Sequence, residues 1–305
     1  MQRFLFVLIL LPAMAWAQDP SQQLQAYLEA GRTGGTSPLA PAVMQATEQY
    51  PTLLSTLQPY LRDSLSQVKY RAYSTLSRLG QNSPSLEFRQ QVVGLLLEGV
   101  KDPNISNTAS QALTRFAKED FSRASKDVLY DLLVNETGDY IMVMKLVGYL
   151  DMVRGQEVMI ANLLAEDKLS TYERWGSYVA LARLGEPNAV SYLSRRLQGI
   201  EVNDDIIYDV FPDLAYTRQR EVVDIIVQTV MSDDTECSSA NNDSDATILC
   251  AYRAMEFLPG VIEDFPWQRD ITGDLEVDNY EEALTQIRQW LVTHPDYTLD
   301  RSGFE

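Results

Sequence analysis

Apolar residues recur three and four positions apart along most of this chain, the spacing of one buried helix face. The clearest run is 173–197. Trp175, Tyr178, Val179 and Ala182 share a face there, widened by Leu181 and Leu184. Gly185 suits the left-handed position past a helix end, and Pro187 suits the first turn of the next helix. Val190, Leu193 and Leu197 form a second apolar stripe. Ser191, Arg195 and Gln198 lie opposite it and are expected to face water. Neither helix is long enough to be stable alone, so the pair needs neighbours.

Looser helix pairs precede and follow it. Short helices are expected over 18–31, 41–50 and 51–61. From residue 67 the pattern predicts pairs over 68–79 with 85–100, 105–116 with 125–134, 140–152 with 156–165, and then the clearest run itself. A fifth pair is expected over 204–215 with 220–231. A sixth starts at 246–258, and an insertion displaces its second helix to about 280–292. Apolar pairs three apart mark the ends of the first helices: Leu76/Leu79, Leu113/Phe116, Leu150/Val153, Leu181/Leu184, Phe211/Leu214 and Met255/Leu258. They step by about 30 to 44 residues, within the range of two-helix repeats. Sustained two-residue alternation is missing, so strands are not expected. The expected fold is all-α: an α-solenoid of about six helical pairs, with an irregular helical bundle as the alternative. A helical N-terminal cap would occupy 18–66, the solenoid 67–258, and an acidic C-terminal insertion with a capping helix 259–305.

The stretch 174–197, with its core ALARLGEPNAVSYL, resembles the short HEAT-like repeats of bacterial α-solenoids. The small-residue first helix, the Leu184-Gly185 turn and the following Pro187, Ala189 and Val190 carry the likeness. YRAYSTLSRLG at 70–80 echoes it, and NTASQALTRFA at 107–117 more faintly. Pro212 and the late insertion depart from the pattern. The resemblance implies a right-handed stack, and an architecture rather than an activity.

The first residues change the setting. Arg3, the apolar run 4–11 and Ala15-Trp16-Ala17 have the pattern of a secretory signal cleaved after Ala17. The run is short for a permanent span, and retention as an anchor is the alternative. The expected location is periplasmic or secreted, with no stable membrane insertion. The net charge of −18 disfavours nucleic acid and anionic membrane surfaces as partners. The acidity gathers in 233–282, where only Arg253 and Arg269 oppose it.

Candidate chemistry is sparse. Cys237 and Cys250 bracket a polar segment in an exported chain, so a disulfide is expected, a free buried Cys250 being the alternative. His294 is the single histidine, too little for a Ser-His-Asp triad or a multi-histidine metal site. Asp205, Asp209 and Asp213 fall on one line of a helix and form a candidate acidic or cation site. Like charges at that spacing repel, unless a cation, a basic partner, or the nearby Arg218 and Arg220 compensate; a solvated acidic face is the alternative. The insertion adds Asp270, Asp274 and Asp278. Oxygen-rich loops of this kind hold calcium, although the EF-hand order is absent. No other cofactor is expected. Phe265 and Trp267 form either a cap over the open end of the stack or an aromatic platform for a peptide or sugar.

The expected function is an exported, non-catalytic scaffold that binds a protein or peptide along its second helices, through Ser191, Arg195 and Gln198. The alternative is a hydrolase or glycan-binding protein that uses carboxylates and aromatics of the C-terminal third.

Overall fold

The computed structural model describes residues 19–165, 168–239 and 246–304. The expected signal segment lies outside them. Helices dominate, as the apolar spacing requires. Among the described residues, no helix is long and apolar enough to cross a membrane. The chain divides into two compact units between Asn82 and Ser83, a boundary that falls inside the first expected helix pair.

The first unit holds α1 (Pro20–Ala30), α2 (Pro41–Gln45), α3 (Tyr50–Leu57) and α4 (Ser66–Gln81). Proline opens the first three, where its missing N–H leaves no helix bond unmade. Leu24 and Leu28 of α1, Leu53 and Leu57 of α3, and Val68 and Leu76 of α4 are fully buried. Arg71 of α4 donates to the carbonyl of Tyr27 at 2.7 Å and to that of Gly35, fixing the loop after α1.

The second unit begins with α5 (Leu86–Val100), α6 (Ser106–Leu113), α7 (Arg123–Val134), α8 (Tyr140–Tyr149) and α9 (Gln156–Leu164). It continues with α10 (Thr171–Arg183), α11 (Pro187–Leu197), α12 (Asp204–Asp209), α13 (Phe211–Thr217) and α14 (Arg220–Met231). After α14 come β1 (Cys237–Ser238), β2 (Thr247–Ile248), α15 (Ala251–Ala254) and α16 (Tyr280–Thr293). Helix α8 packs on α6 and α10, and α10 packs on α13. Helices α5 and α7 pair with each other, as do α11 and α14. Gly148 lets α8 approach α10 closely: a Cβ there would lie 2.8 Å from the Ala180 carbonyl oxygen and 2.6 Å from the Tyr216 hydroxyl.

The α10–α11 hairpin shows how local chemistry fixes the path. Ser170 and Glu173 form a capping box at the start of α10. At its end, Gly185 takes φ +84°, the Gly185 amide donates to Ala182, and the Glu186 amide donates to Leu181. That pair of bonds is the Schellman closure. Glu186 then accepts from the Ala189 amide at 2.6 Å and caps α11. Tyr178 and Tyr192 stack across the hairpin with centroids 3.8 Å apart.

Two expected helices differ. The stretch 204–215 is split at Val210, and Pro212 opens the new helix α13; proline favours that position and disfavours a helix interior. The stretch 246–258 is helical only from Ala251, because Thr247 and Ile248 pair with β1 in a two-residue antiparallel ladder. No alternation long enough to mark a strand exists there. The ladder is closed by the Cys237–Cys250 disulfide.

Candidate functional site

Two regions of the second unit gather polar side chains in concave surfaces. The first lies between α11 and α14. Val190, Leu193 and Leu197 point inward from α11 and are buried, which leaves Ser191, Arg195 and Gln198 exposed. Ser191, Ser194 and Arg195 line a groove of about 700 Å³ with Asn188, Gln219 and Glu221. Ser194 and Gln198 line a second groove of about 430 Å³ with Glu221, Gln228 and Asp234. Ser194 and Glu221 are common to both, so the grooves adjoin. The walls carry hydroxyls, amides, the basic Arg195 and the acids Glu221 and Asp234. Arg195 Nε donates to the Ser191 carbonyl at 3.1 Å, which steadies the side chain along its helix. Amides and hydroxyls that both donate and accept suit the main chain of an extended partner.

The second region is a channel filled by residues 295–304. Three arginines read the carbonyls of this segment. Arg220 donates to Pro295 at 2.6 Å and Tyr297 at 2.8 Å. Arg218 donates to Asp300 at 2.7 Å. Arg183 donates to Arg301 at 3.0 Å and Gly303 at 2.7 Å, and also to Tyr216 of α13 at 2.5 Å. The Tyr149 hydroxyl lies 3.1 Å from the Phe116 carbonyl and 3.2 Å from that of Ser302, with one proton to share between them. Phe304 closes the segment against the rings of Tyr149 and Tyr216, 5.5 and 5.2 Å away.

The channel is costly to build. Arg183 is 0% and Arg218 2% exposed. Desolvation pushes Arg183 below its ordinary value, partly offset by the nearby Tyr216, and pushes Arg218 down to about 9. Arg218 also holds a left-handed backbone, φ 49°, a region that side chains other than glycine seldom occupy. Burial raises the Tyr149 hydroxyl to about 12. Asp151 ties the rim by bonding Lys118 at 2.6 Å and Arg301 at 3.4 Å. Burial works against its charge, but these two cations outweigh that and hold its pKa low.

Beside Phe304 lies an open cavity of about 350 Å³, lined by Met142, Lys145, Asp213, Tyr216, Phe257 and Arg269 among others. Asp213 sits here, bonded to Lys145 Nζ at 2.5 Å and to the Trp175 ring N–H at 2.5 Å. The helix break separates it from Asp205 and Asp209, which stay exposed on α12. The compensating cation for Asp213 comes from α8, 68 residues away.

In the insertion, Asp270 accepts from the amides of Thr272 and Gly273 and from the Thr272 hydroxyl. These bonds, that of the Thr272 hydroxyl first, lower its pKa. Asp274 accepts from the same hydroxyl at 3.0 Å, and Asp278 lies beyond the turn. Among the described residues, no group of three or more His, Cys, Asp or Glu side chains is arranged to hold a metal ion. Phe265 is buried, with Trp267 at 5.2 Å and Trp290 of α16 at 5.1 Å between ring centroids. His294 stacks on Trp290 at 4.3 Å. Glu256 is a carboxylate that burial raises, and it accepts from the Tyr280 hydroxyl at 2.8 Å.

Helical period places Ser191, Arg195 and Gln198 on the exposed side of α11, but it does not single out Ser194 or the residues Glu221 and Gln228 that line the grooves from α14. Apart from the lone arginine within an apolar helix face, Arg183 and the closing segment carry no local signal as a site. Arg218 and Arg220, expected to compensate the acidic line, donate instead to carbonyls of 295–300, while Lys145 pairs with Asp213. No protein-family model matches the chain, and no curated protein matches it.

Proposed function

We propose that this chain is an exported, non-catalytic α-solenoid of HEAT-like helical pairs that binds a protein or peptide along its second helices. The observation that carries the reading is the pair of adjoining grooves along α11 and α14, with Ser191, Arg195 and Gln198 on their walls. Stacked helix pairs present such extended surfaces because each contributes an exposed helix face. The Cys237–Cys250 disulfide supports an oxidising compartment outside the cytosol.

The test is partner capture from the envelope fraction with wild type and with Arg195→Glu. Captured polypeptides lost on Arg195→Glu, with the circular dichroism unchanged, support the reading. A capture profile unaffected by that charge reversal contradicts it. Glu256 is the observation that favours the hydrolase or glycan-binding alternative, since a carboxylate raised by burial suits an acid role. That reading requires Glu256→Gln to abolish a glycosidase activity or a sugar-dependent shift in Tm.

A further inference from the structure

The cavity beside Phe304 is a meeting point of several elements. Helices α6, α8 and α13, the chain after α15, and Phe304 itself each contribute to its wall. Its volume of about 350 Å³ falls at the lower end of small-molecule sites, about 300–1,000 Å³. Close helix approach builds it. Gly148 admits the Tyr216 hydroxyl against α8, and that hydroxyl donates to the Lys145 carbonyl. Pro212 opens α13 and so sets Asp213 in its first turn. There the carboxylate accepts from Lys145 Nζ and from the Trp175 ring N–H, both at 2.5 Å. These bonds hold the polar groups of the cavity in one arrangement.

The lining has two characters. Met142, Pro212, Phe257, Val261 and Phe304 are apolar. Phe257 packs edge-on against Phe211 at 5.8 Å, and Phe304 packs on Tyr216 at 5.2 Å, so both rings are fixed. The charged groups are Lys145, Asp213 and Arg269. Lys145 and Asp213 neutralise each other. Arg269 then leaves the cavity with an excess of positive charge, in a chain whose net charge is −18. Arg269 is exposed, donates to the Pro259 carbonyl at 3.2 Å, and also acts through its charge on Glu256. A guanidinium has five N–H donors, so a carboxylate can join that carbonyl on it. A cationic ligand would face both Lys145 and Arg269, and both oxygens of Asp213 are already bonded.

We propose that this cavity binds a small carboxylate with an aromatic or aliphatic body. The body lies against Met142, Phe257 and Phe304, and the carboxylate pairs with Arg269. Residues 295–304 stay in place, and Phe304 serves as part of the wall. The site is separate from the α11–α14 grooves and does not depend on them.

The test is calorimetric titration of the full chain with phenylbutyrate and with octanoate, each beside its own amide and amine. At least one acid is expected to bind, about tenfold or more tighter than its amide and its amine. Arg269→Gln should weaken that acid about tenfold. Met142→Trp fills the cavity from a half-buried position on α8 and should abolish binding, with native circular dichroism in both variants. No binding of either acid up to about 10 mM, above the millimolar Kd expected of ligands this small, overturns the proposal. Equal binding of acid and amide, or tighter binding of the amine, also overturns it. Binding that both substitutions leave unchanged puts the ligand elsewhere and overturns it too. Should Met142→Trp fail to fold, Arg269→Gln decides alone, because Arg269 is exposed.

Discussion

The two concave regions of the second unit were built in opposite ways. The α11–α14 groove is open, and its polar residues are what a helix leaves outside when its apolar stripe turns inward. The channel under residues 295–304 is closed, and its polar residues sit where an apolar stripe would normally be continuous. Arg183 occupies the buried face of α10 beside Val179, Leu181 and Ala182. Polar residues on an open groove cost little stability. A buried arginine is held because a distant segment supplies carbonyls, so its side chain is tied to stability in a way that the exposed groove residues are not.

That contrast orders the expected effects of substitution. Arg183→Ala should be the most damaging, because it removes three charged hydrogen bonds and opens a hole between α10 and the tail. A loss of about 3 kcal/mol or more is expected by urea denaturation. A loss under about 1 kcal/mol would show that water replaces the guanidinium freely and would erase the contrast. Phe304→Ala should follow at about 2–3 kcal/mol, somewhat below a fully enclosed core phenylalanine. Its effect should depend on Arg183, because both act through the same segment, and a double-mutant cycle measures that coupling.

Replacing both Cys237 and Cys250 by serine should cost at most about 3 kcal/mol, the chain-entropy value for a loop of this size. That loss should leave partner capture at the α11–α14 groove intact. The smallest stability effect is expected at Asp151. Its folded pKa is depressed below the ordinary 3.8, so its contribution is present above that value and is lost as pH falls through the folded one. Stability measured from pH 6 downward should therefore fall at the acid end, and Asp151→Asn should flatten that limb. The half-exposed pair geometry keeps the change small.

What was legible in the sequence follows the same divide. Helical period and turn chemistry specify 171–197 almost completely, because Gly185, Glu186 and Pro187 act on neighbours within a few residues. The exposure of Ser191, Arg195 and Gln198 follows from that period. The break at Pro212 was partly legible, since proline disfavours a helix interior, but the rescue of Asp213 by Lys145 was not. That contact spans 68 residues. The hydrogen bonds of Arg183 with residues 301 and 303 span 118 and 120 residues, and no local pattern encodes separations of that kind. The insertion was read as a cation loop or an aromatic feature. Asp270 and Asp274 bond to the local Thr272 turn, and Phe265 packs on Trp290 of α16 through a contact that depends on tertiary approach.

The central claim, a binding surface along α11 and α14, is tested most directly by site-specific photo-crosslinking from position 198 in the otherwise unaltered chain. The account predicts a discrete adduct with a partner polypeptide from Gln198, and none from the exposed Glu98 on α5. An absence of adduct at Gln198, or equal labelling at both positions, would contradict it.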